Sequence, residues 1–304
     1  MAFNLNAQMI IRTKVLMGTF VSISLQEKDK MYFNNVFKIL KEVDNSISSY
    51  KQNSPIFILN KSKKAKINLY TYEALELSEE YYKKTDGYFD IAIGSITKDL
   101  YKFGGNEHLA SALELDASNI SISNLKFDKK EAFLKGSVKI DLGGMGKGFG
   151  VDKSIKYLKN QHVTNTIVAL SGDIRCLGSC KIAVNNPFGK KPLAEFDTIK
   201  NEMGISTSGN YNRYVHDTKH NHLINPKTKN SQNNFVSITL ISQLKNSDLD
   251  AYATAVSVMP PSKTYLFLDA LKIGYIVLTI KNKLVVSKNI DEYVENLVVN
   301  DTVK

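Results

Sequence analysis

The spacing of apolar residues changes repeatedly along this 304-residue chain, and this alternation limits the folds that it can adopt. Residues 10–25 are rich in β-branched side chains and are interrupted by Met17-Gly18, which predicts two strands, or one bent strand, meeting at a tight turn. Residues 29–49 place apolar side chains three and four positions apart, as in an amphipathic helix. The chain must therefore pack helices against strands.

The alternation continues through the first half of the sequence. A loop is predicted around Pro55, and a helix is predicted at 71–84, after which Gly87 suits a left-handed cap. Residues 96–115 have weak helical character. Short alternating runs between 120 and 140 are typical of an antiparallel meander, and we expect the main sheet to begin there.

The second half of the chain predicts more strands and two further helices. A strand, a glycine-rich turn, a helix and a buried strand follow one another between 140 and 178. The later elements are strands at 181–185, 194–200, 203–207, 212–217 and 235–241, a helix at 247–259 ended by Pro260-Pro261, a second helix and a terminal hairpin.

No linker, composition break or fixed-period repeat divides the chain. Its 43% apolar content is ample for a large packed core, although length alone allows one large domain or two ordinary ones. We expect an α+β fold in a single domain spanning 1–304, with a mixed, largely antiparallel sheet packed by helices.

The chain is basic, with a net charge of +10. Such a charge attracts phosphate esters, nucleic acid or an anionic membrane surface. Only Arg12, Arg175 and Arg213 are arginines, so lysines supply the other 37 cations. Because specific recognition of bases and phosphates favours the arginine fork, we expect no nucleic-acid partner.

The cysteine content and the N-terminus bear on the compartment. Cys176 and Cys180 have neither a second pair nor a histidine cluster to complete a zinc site, and we expect free thiols in the core. No apolar stretch is long enough for a membrane span, and the start, MAFNLNAQMIIRTK, lacks the apolar region of a signal peptide. Two interpretations stay open: a cytoplasmic protein, or a chain that begins after a removed targeting segment.

The turn DLGGMGKGFGVD contains five glycines in eight residues, between a predicted strand and a predicted helix. Such a turn lets backbone N–H groups approach an anion at the start of the helix. It matches neither the Walker nor the Rossmann pattern, because Gly148 follows Lys147 and the glycine spacing differs. A purely structural turn is an equally open interpretation.

Asp250 and Thr254 lie four residues apart in SDLDAYATAVSVM. On a helix this spacing puts a carboxylate and a hydroxyl on one face, where they could share a hard cation such as Mg²⁺. The alternative is a helix cap formed by Asp248 or Asp250, with Thr254 bonded to its own turn. Spacing alone favours the cap.

A polar segment at 204–230 contains hydroxyl residues, Arg213 between two tyrosines, and three histidines. A histidine there is a candidate proton acceptor, but polar loops have the same composition. His222 is therefore a weak candidate when it is considered by itself.

Taken together and in order, these segments resemble the FAD:protein FMN transferase (ApbE) family. The resemblance covers nearly the whole chain because its short motifs are spread from residue 17 to residue 259. They are MGTFVSISL, SSYKQNS, TDGYFDIAIG, IDLGGMGKGFGVDKS, ALSGDIRCLG, GISTSGNYNRY, HLINPKT, VSITLIS and LDAYATAVSVM.

The resemblance implies an ApbE-like, T-fold-like domain with Mg²⁺-dependent activity. Such an enzyme binds FAD as a substrate, attaches FMN to a threonine of an acceptor protein and releases AMP. It also implies acceptors among flavoprotein subunits of membrane redox complexes, of the sodium-pumping NADH:quinone reductase or Rnf type, and a location on the periplasmic face of the bacterial inner membrane. The alternatives are an FAD pyrophosphatase, in which water replaces threonine, and an FAD-binding protein without catalysis.

The resemblance also implies site residues. The catalytic residues would be Asp250 and His222, the latter as the base for the attacking hydroxyl. The metal would be held by Gly144, Asp250, Ala253 and Thr254. The FAD site would be lined by Met17, Tyr50, Tyr88, Phe89, Asp90, Asp141, Lys147 and Ile224.

Three positions depart from the pattern of the family. Asn225 replaces the acid of an HIIDP motif, and Lys229 replaces a glycine after it. Asn225 can keep the turn but cannot supply the charge. Tyr252 places an aromatic ring between the two expected metal ligands.

Overall fold

The computed structural model describes residues 8–199 and 201–300. The ends of the expected domain, the first residues of the segment considered as a signal peptide and the last residue of the predicted strand 194–200 lie outside this range. Within the described residues, no helix combines the length and apolar character needed to cross a membrane.

The described chain contains fourteen strands and seven α-helices. The strands are β1 (Met9–Leu16), β2 (Thr19–Gln26), β3 (Lys64–Lys66), β4 (Leu125–Phe127), β5 (Glu131–Leu134), β6 (Thr166–Leu170), β7 (Asp173–Leu177), β8 (Lys181–Val184), β9 (Ala194–Thr198), β10 (Glu202–Gly209), β11 (Phe235–Ser242), β12 (Gly274–Thr279), β13 (Leu284–Val286) and β14 (Val294–Val299). The helices are α1 (Phe33–Ile47), α2 (Pro55–Ser62), α3 (Leu69–Lys84), α4 (Ala112–Ala117), α5 (Gly146–Asn160), α6 (Asn246–Val258) and α7 (Pro261–Ala270).

An eight-stranded sheet forms the centre, in the order β1-β2-β6-β7-β10-β11-β12-β13, and its neighbouring strands are antiparallel. Two three-stranded sheets, β14-β9-β8 and β3-β5-β4, accompany it. The prediction of an α+β fold with a largely antiparallel sheet is confirmed. The prediction that the main sheet begins at 120–140 is wrong, because β4 and β5 pair only with each other and β3, and the main sheet begins at β1.

The strand pair β1–β2 is a hairpin closed by Met17 and Gly18, with Leu16 opposite Thr19. Both turn residues have positive φ, 53° for Met17 and 71° for Gly18. This is the backbone that a two-residue hairpin turn requires, and glycine adopts it without strain. The predicted pair of strands at a tight turn is confirmed.

Two local predictions are wrong for identifiable reasons. Pro55 begins α2 rather than a loop, because the first turn of a helix needs no N–H from proline and the Ser54 side chain accepts the N–H of Phe57 at 3.0 Å. The segment 212–217 is not a strand. Its backbone curls instead, with His216 at a φ of 62°, and Tyr214 makes only an isolated bridge to Asn221.

The C-terminal region also differs from the prediction in one respect. β12 and β13 form the predicted hairpin, but the described chain continues into β14, which returns to pair with β9. The strand β14 therefore joins the small sheet rather than extending the hairpin.

The two cysteines are not free thiols. Cys176 in β7 and Cys180 just before β8 form a disulfide, with their Cα atoms 6.2 Å apart. The intervening Gly178, at a φ of 86°, turns the chain back so that the two buried side chains meet. The spacing of the cysteines identifies a possible pair, but only the turn at Gly178 brings the two sulfur atoms together.

The helices α5 and α6 cross in close contact, and glycine makes this possible. A Cβ placed on Gly148 would lie 2.1 Å from the carbonyl oxygen of Asn246, which is a backbone atom that cannot rotate away. At Gly150 an added Cβ would meet side-chain atoms alone, those of Leu40 and Met17 at 3.1 Å and of Leu170 at 3.4 Å. The glycine at position 148 is thus required for the close packing of α5 against α6.

Replacing Gly148 by alanine should therefore lower the free energy of unfolding by more than about 3 kcal/mol, because the helices must separate. Chemical denaturation followed by circular dichroism would measure this. The matched variant Gly150→Ala should change stability by no more than about 1 kcal/mol, since the gain in helix propensity offsets mild crowding. Equal losses in the two variants would contradict this packing role.

Candidate functional site

Asp250 lies in the second turn of α6, not at its end. The N–H groups that open this helix, those of Asn246 and Ser247, donate to the carboxylate of Asp152 on α5 at 2.8 and 2.9 Å. The capping task thus belongs to Asp152, and the helix-cap interpretation of Asp250 is wrong.

The Asp250 carboxylate is buried and is held by the start of α5. Its Oδ1 and Oδ2 lie 3.1 and 3.3 Å from Lys147 Nζ, and Oδ2 also accepts the Gly148 N–H at 3.0 Å. The glycine-rich turn therefore carries Lys147 and a backbone donor to the same carboxylate. Charge-assisted hydrogen bonds of this kind fix the acid in position.

A second carboxylate, Asp173 at the start of β7, completes this cluster. It is fully buried, its Oδ2 lies 2.9 Å from Lys147 Nζ, and its Oδ1 accepts the Ser206 hydroxyl at 2.6 Å. Burial, and then the charge of Asp250, raise the pKa of Asp173 to about 7. Burial opposes the charge of Lys147, but the two carboxylates outweigh it and raise the pKa of Lys147.

Thr254 faces the glycine-rich turn one helical turn after Asp250. Its hydroxyl lies 3.2 Å from the carbonyl oxygen of Gly144, and it bonds there rather than within its own helix. A Cβ on Gly144 would lie 3.0 Å from Thr254 Cγ2 and 3.2 Å from Phe89 Cε2, so only glycine fits without displacement. Three oxygen types thus converge: a carboxylate, a hydroxyl and a carbonyl.

These residues fit a hard cation. Their donors are all oxygens, which favour Mg²⁺ or Ca²⁺ over softer metals. The two buried carboxylates share one ammonium, and Asp173 Oδ2, although close to Lys147, makes no hydrogen bond of normal geometry. The excess negative charge favours an added cation. Within the described residues there is no cluster of three or more His, Cys, Asp or Glu side chains that could hold a metal ion by themselves, so a cation here would also need the Thr254 hydroxyl, the Gly144 carbonyl and oxygens of its ligand.

Asp141 lies directly before the glycine-rich turn and is held from three directions. Its Oδ1 accepts the Gly143 N–H at 3.0 Å, and its Oδ2 accepts the Thr97 hydroxyl at 2.9 Å and lies 3.1 Å from Lys98 Nζ. Burial acts to raise the pKa of Asp141, but Lys98 and Thr97 outweigh it and lower the pKa. Thr97 and Lys98 both belong to a single π-helical turn at Ser95–Leu100. This irregular turn directs both side chains to Asp141.

Tyr50 forms one wall of the site together with two cations. Lys98 Nζ lies 3.7 Å from the centroid of its ring, and the Arg213 guanidinium carbon lies 5.8 Å from it. The Tyr50 hydroxyl donates to the carbonyl of Phe103 at 3.0 Å, and Arg213 donates to the same carbonyl at 3.1 Å and to the Tyr50 hydroxyl. The half-exposed ring is therefore fixed but open to a ligand.

His222 is oriented by the backbone. Its Nδ1 lies 3.1 Å from the carbonyl oxygen of Arg213, so Nδ1 carries the proton and Nε2 keeps its lone pair. Burial, followed by the positive charges of Arg213 and Lys147, lowers the pKa of His222 to about 4. The ring is thus neutral at pH 7 and able to accept a proton.

The segment Tyr88-Phe89-Asp90 is buried beside this site. Phe89 lies next to Gly144, as the close approach above shows, and packs edge-on against Tyr81. Lys227 Nζ lies 4.4 Å from the centroid of the Tyr88 ring. Asp90 accepts the Ala92 N–H at 2.8 Å, and burial raises its pKa to about 6.

The remaining expected site residues are apolar. Met17, in the β1–β2 turn, lies near Gly150 of α5, and Ile224 is buried in a cluster with Phe103. Ala253 is fully buried in the core, so its side chain packs there and only its backbone could face a ligand. Their expected roles toward FAD and the metal stay predictions.

The sequence model of the ApbE family matches residues 17–277. The chain belongs to the ApbE family. A relative named FAD:protein FMN transferase in Klebsiella pneumoniae is 23% identical over 244 residues, covering 75% of this chain and 76% of the relative. Another of the same name, in Vibrio cholerae, is 24% identical over 291 residues, covering 86% and 85%.

Solved ApbE structures have the same fold. The ApbE protein of Thermotoga maritima superposes with a TM-score of 0.86 at 22% identity, covering 95% of this chain and all of that one. The flavin transferase ApbE of Vibrio cholerae gives a TM-score of 0.80 at 22% identity, covering 94% and 99%. The expected ApbE-like fold is therefore confirmed.

The departures in this ApbE-family chain have structural explanations. Tyr252 points away from Asp250 and Thr254 into an aromatic cluster, with its ring centroid 5.8 Å from Tyr81 and 5.4 Å from Phe267. Lys229 has a φ of 62°, the conformation for which glycine is suited, and its ammonium bonds the carbonyls of Asp116 and Ser118 at 2.8 Å.

The Asn225 side chain both accepts and donates hydrogen bonds, which an ionised aspartate could not do. Its Oδ1 accepts the Lys227 N–H at 2.8 Å, while its Nδ2 donates to the carbonyl of Val258 at 2.7 Å and so ties the loop to the end of α6. Substitution Asn225→Asp should lower the free energy of unfolding by about 1–3 kcal/mol at pH 7, because a carboxylate would face that carbonyl. Thermal denaturation would measure this. Asn230 also donates to a carbonyl, that of Thr228 at 2.9 Å, but it is exposed to water, so Asn230→Asp should have a much smaller effect. A gain in stability at Asn225 would refute this interpretation.

The sequence assigned no role to three residues of the site, Asp173, Lys98 and Arg213, although Arg213 stood out between two tyrosines. Asp173 lies within ALSGDIRCLG, where an acid between a tight turn and a buried strand was the available signal. Lys98 and Arg213 lie among other polar residues, and no local pattern separates them from solvated side chains.

Proposed function

We propose that this chain is a Mg²⁺-dependent FAD:protein FMN transferase, which moves FMN from FAD to a threonine hydroxyl of an acceptor protein and releases AMP. Relatives whose alignments cover most of the chain are named FAD:protein FMN transferase, which supports the transfer of FMN. The observation that carries the proposal is the convergence of Asp250, Thr254 and the Gly144 carbonyl beside Lys147. Such a set suits a cation bound to a pyrophosphate.

The reaction exchanges one bond to phosphorus for another. The threonine oxygen attacks the phosphorus on the FMN side of the pyrophosphate, the bond to the bridging oxygen breaks, and AMP leaves with that oxygen. The hydroxyl proton passes to the base. Bound Mg²⁺ would neutralise charge on the pyrophosphate oxygens and make AMP a better leaving group.

Residues of the chain would position the cation and the phosphates and would accept the proton. Asp250, Thr254 and Gly144 would hold the cation, and Lys147, fixed between Asp250 and Asp173, would place a positive charge beside the same phosphates. His222 would accept the proton at Nε2, because Nδ1 is already engaged with the Arg213 carbonyl.

The flavin or adenine ring would bind on the side formed by Tyr50 and Tyr88-Phe89-Asp90. The open face of Tyr50 suits stacking with a planar ring, and the Lys98–Asp141 pair beside it offers polar contacts. Ile224 and Phe103 give the same wall an apolar backing.

We extend the proposal to the acceptor and the compartment. Acceptors would be flavoprotein subunits of membrane redox complexes, of the sodium-pumping NADH:quinone reductase or Rnf type, modified on the periplasmic face of the inner membrane; the cytoplasm is the alternative. The disulfide between Cys176 and Cys180 supports an oxidising compartment, since disulfides persist there and are rare in the cytosol.

Incubation of the protein with FAD, Mg²⁺ and a candidate acceptor domain tests the activity. Covalent flavin fluorescence on the acceptor in a denaturing gel, lost when its threonine is replaced by alanine, is the expected result. Free FMN and AMP without labelling would indicate a pyrophosphatase, and FAD recovered intact would indicate a binding protein.

A further inference from the structure

A cavity of about 700 Å³ opens beside Tyr50, and lysines dominate its walls. We call it the basic cavity. Five of its thirteen lining residues are Lys61, Lys63, Lys98, Lys102 and Lys139, and among the residues that the structure describes no Asp or Glu lines it. Such a concentration of one sign of charge in a concave surface attracts anions.

Internal partners neutralise only part of this charge. Lys139 pairs with Asp99, and Lys98 pairs with Asp141 at 3.1 Å. Lys63 donates to a carbonyl, that of Val138, at 2.7 Å and makes no ion pair of its own within the described chain, although the charge of Asp99 also acts on it.

Lys61 and Lys102 are exposed at the cavity and make no ion pair within the described chain. The five ammonium groups therefore exceed the two paired carboxylates by three positive charges. Burial and the charge of Lys139 lower the pKa of Lys63, which agrees with mutual repulsion among these lysines. A bound anion would relieve that repulsion.

The basic cavity adjoins the candidate site without containing its cation ligands. Tyr50, Lys98 and Phe103 form a shared wall: Lys98 contacts Asp141 on the site side, and Phe103 packs edge-on against His222 with ring centroids 6.5 Å apart. A chain seated in the cavity would thus lie next to the base.

The acceptor protein is a better candidate than FAD for the ligand that occupies the basic cavity. FAD carries its negative charge on the pyrophosphate, which belongs at Asp250, Thr254 and Gly144, and none of these three lines the cavity. Of the eight expected FAD-site residues, only Tyr50 does, and the cavity meets the proposed ring-binding wall through Tyr50, Lys98 and Phe103 alone. The other reactant is a polypeptide, whose anionic groups are Asp and Glu side chains.

We propose that the basic cavity docks an acidic segment of the acceptor protein, which places the neighbouring threonine beside His222. This docking role rests on the proposed transferase function. Its exposed lysines, Lys61 and Lys102, would act on acceptor recognition and leave FAD binding unaffected, because they do not belong to the wall shared with the FAD site and because rim charges mainly set encounter and selectivity.

The test uses two fluorescein-labelled peptides and charge-reversed protein. One peptide carries a threonine flanked by Asp and Glu, and the other has Asn and Gln in their places. The variant Lys61→Glu/Lys102→Glu removes charge at two exposed, unpaired positions. Lys190→Glu/Lys191→Glu, in the exposed β8–β9 loop, makes the same change in net charge away from the cavity.

Fluorescence anisotropy with the wild-type protein should show that the acidic peptide binds more tightly than the amide peptide, and that moderate salt weakens it. The cavity variant should weaken binding of the acidic peptide about tenfold and leave the amide peptide unchanged. The loop variant should match the wild type. Lys61→Gln/Lys102→Gln should give a smaller loss in the same direction, which guards against disturbance of the end of α2.

Equal binding of both peptides by the wild type, or equal loss in the two reversed variants, would overturn the proposal. So would a parallel loss of FAD affinity, measured by flavin fluorescence, because the cavity would then serve FAD. Peptide binding needs no turnover, so failure of docking is distinguishable from absence of FMN transfer in the gel assay.

Discussion

Asp250→Asn should slow the transfer of FMN by roughly 10³-fold, the scale on which active sites lose a preorganised electrostatic contact. Asparagine keeps the shape of the side chain and can still accept the Gly148 N–H, but it removes the charge that would hold the cation. Lys147 keeps its second partner, Asp173, so the fold should persist. The rate is measured as covalent flavin on the acceptor over time, at increasing Mg²⁺ concentrations.

Asp248→Asn is the matched control. Asp248 lies in the same helix, but its Oδ1 accepts the Tyr81 hydroxyl at 2.7 Å, a bond that asparagine can preserve. We expect an unchanged transfer rate and an unchanged dependence on Mg²⁺. Full activity of Asp250→Asn would remove Asp250 from the cation site, and equal loss in both variants would point to a general effect on α6.

His222→Asn should reduce the rate by about 10²–10⁴-fold while changing the affinity for FAD little, since loss of a general base affects the chemical step. The asparagine amide can donate to the Arg213 carbonyl in place of Nδ1, but nothing replaces Nε2 as the proton acceptor. Stopped reactions with saturating FAD and acceptor measure this loss. His220→Asn, at a histidine bonded to Asp217 in the same loop, should keep the wild-type rate, and a similar loss there would exclude a specific role for His222.

The pH dependence of kcat/KM tests the role of His222 independently. The pKa of His222 is lowered to about 4, so the ring is neutral above that pH and protonated below it. For the free enzyme, the acidic limb of kcat/KM that belongs to His222 should therefore lie near pH 4 and not near the ordinary histidine pKa of about 6.5, whereas a limb near 7 that persists in His222→Asn would belong to Asp173. A limb near 6.5 that disappears in His222→Asn would mean that the ring is less buried than the structure shows.

The sequence predicts elements well where local pattern decides them. The helix α1 follows an apolar stripe, α3 and α6 end at recognisable signals, and the Met17-Gly18 turn follows from glycine. It fails where a contact distant in sequence decides, as in the pairing of β14 with β9, and where a local signal allows more than one outcome. Pro55 starts a helix because Ser54 caps it, and Cys176 meets Cys180 because of the turn at Gly178.

The same distinction between local pattern and distant contact applies to the candidate site. The spacing of Asp250 and Thr254 is a local property of one helix, and Gly144 and Lys147 belong to one turn, so both were accessible from the sequence. The capping by Asp152, the pairing of Asp173 with Lys147 and the contact of Lys98 with Asp141 join elements through packing. No short motif encodes which lysine meets which acid, and only the assembled sheet and helices determine it.

A crystal structure with FAD and Mn²⁺, which shares the preference of Mg²⁺ for six oxygen ligands, tests the central claim most directly. Anomalous scattering should place the ion against Asp250, Thr254 Oγ1 and the Gly144 carbonyl, with the FAD pyrophosphate completing its coordination and Lys147 shifted toward Asp173. An ion bound elsewhere, with Lys147 still seated on Asp250 and the pyrophosphate distant from both, would contradict the account.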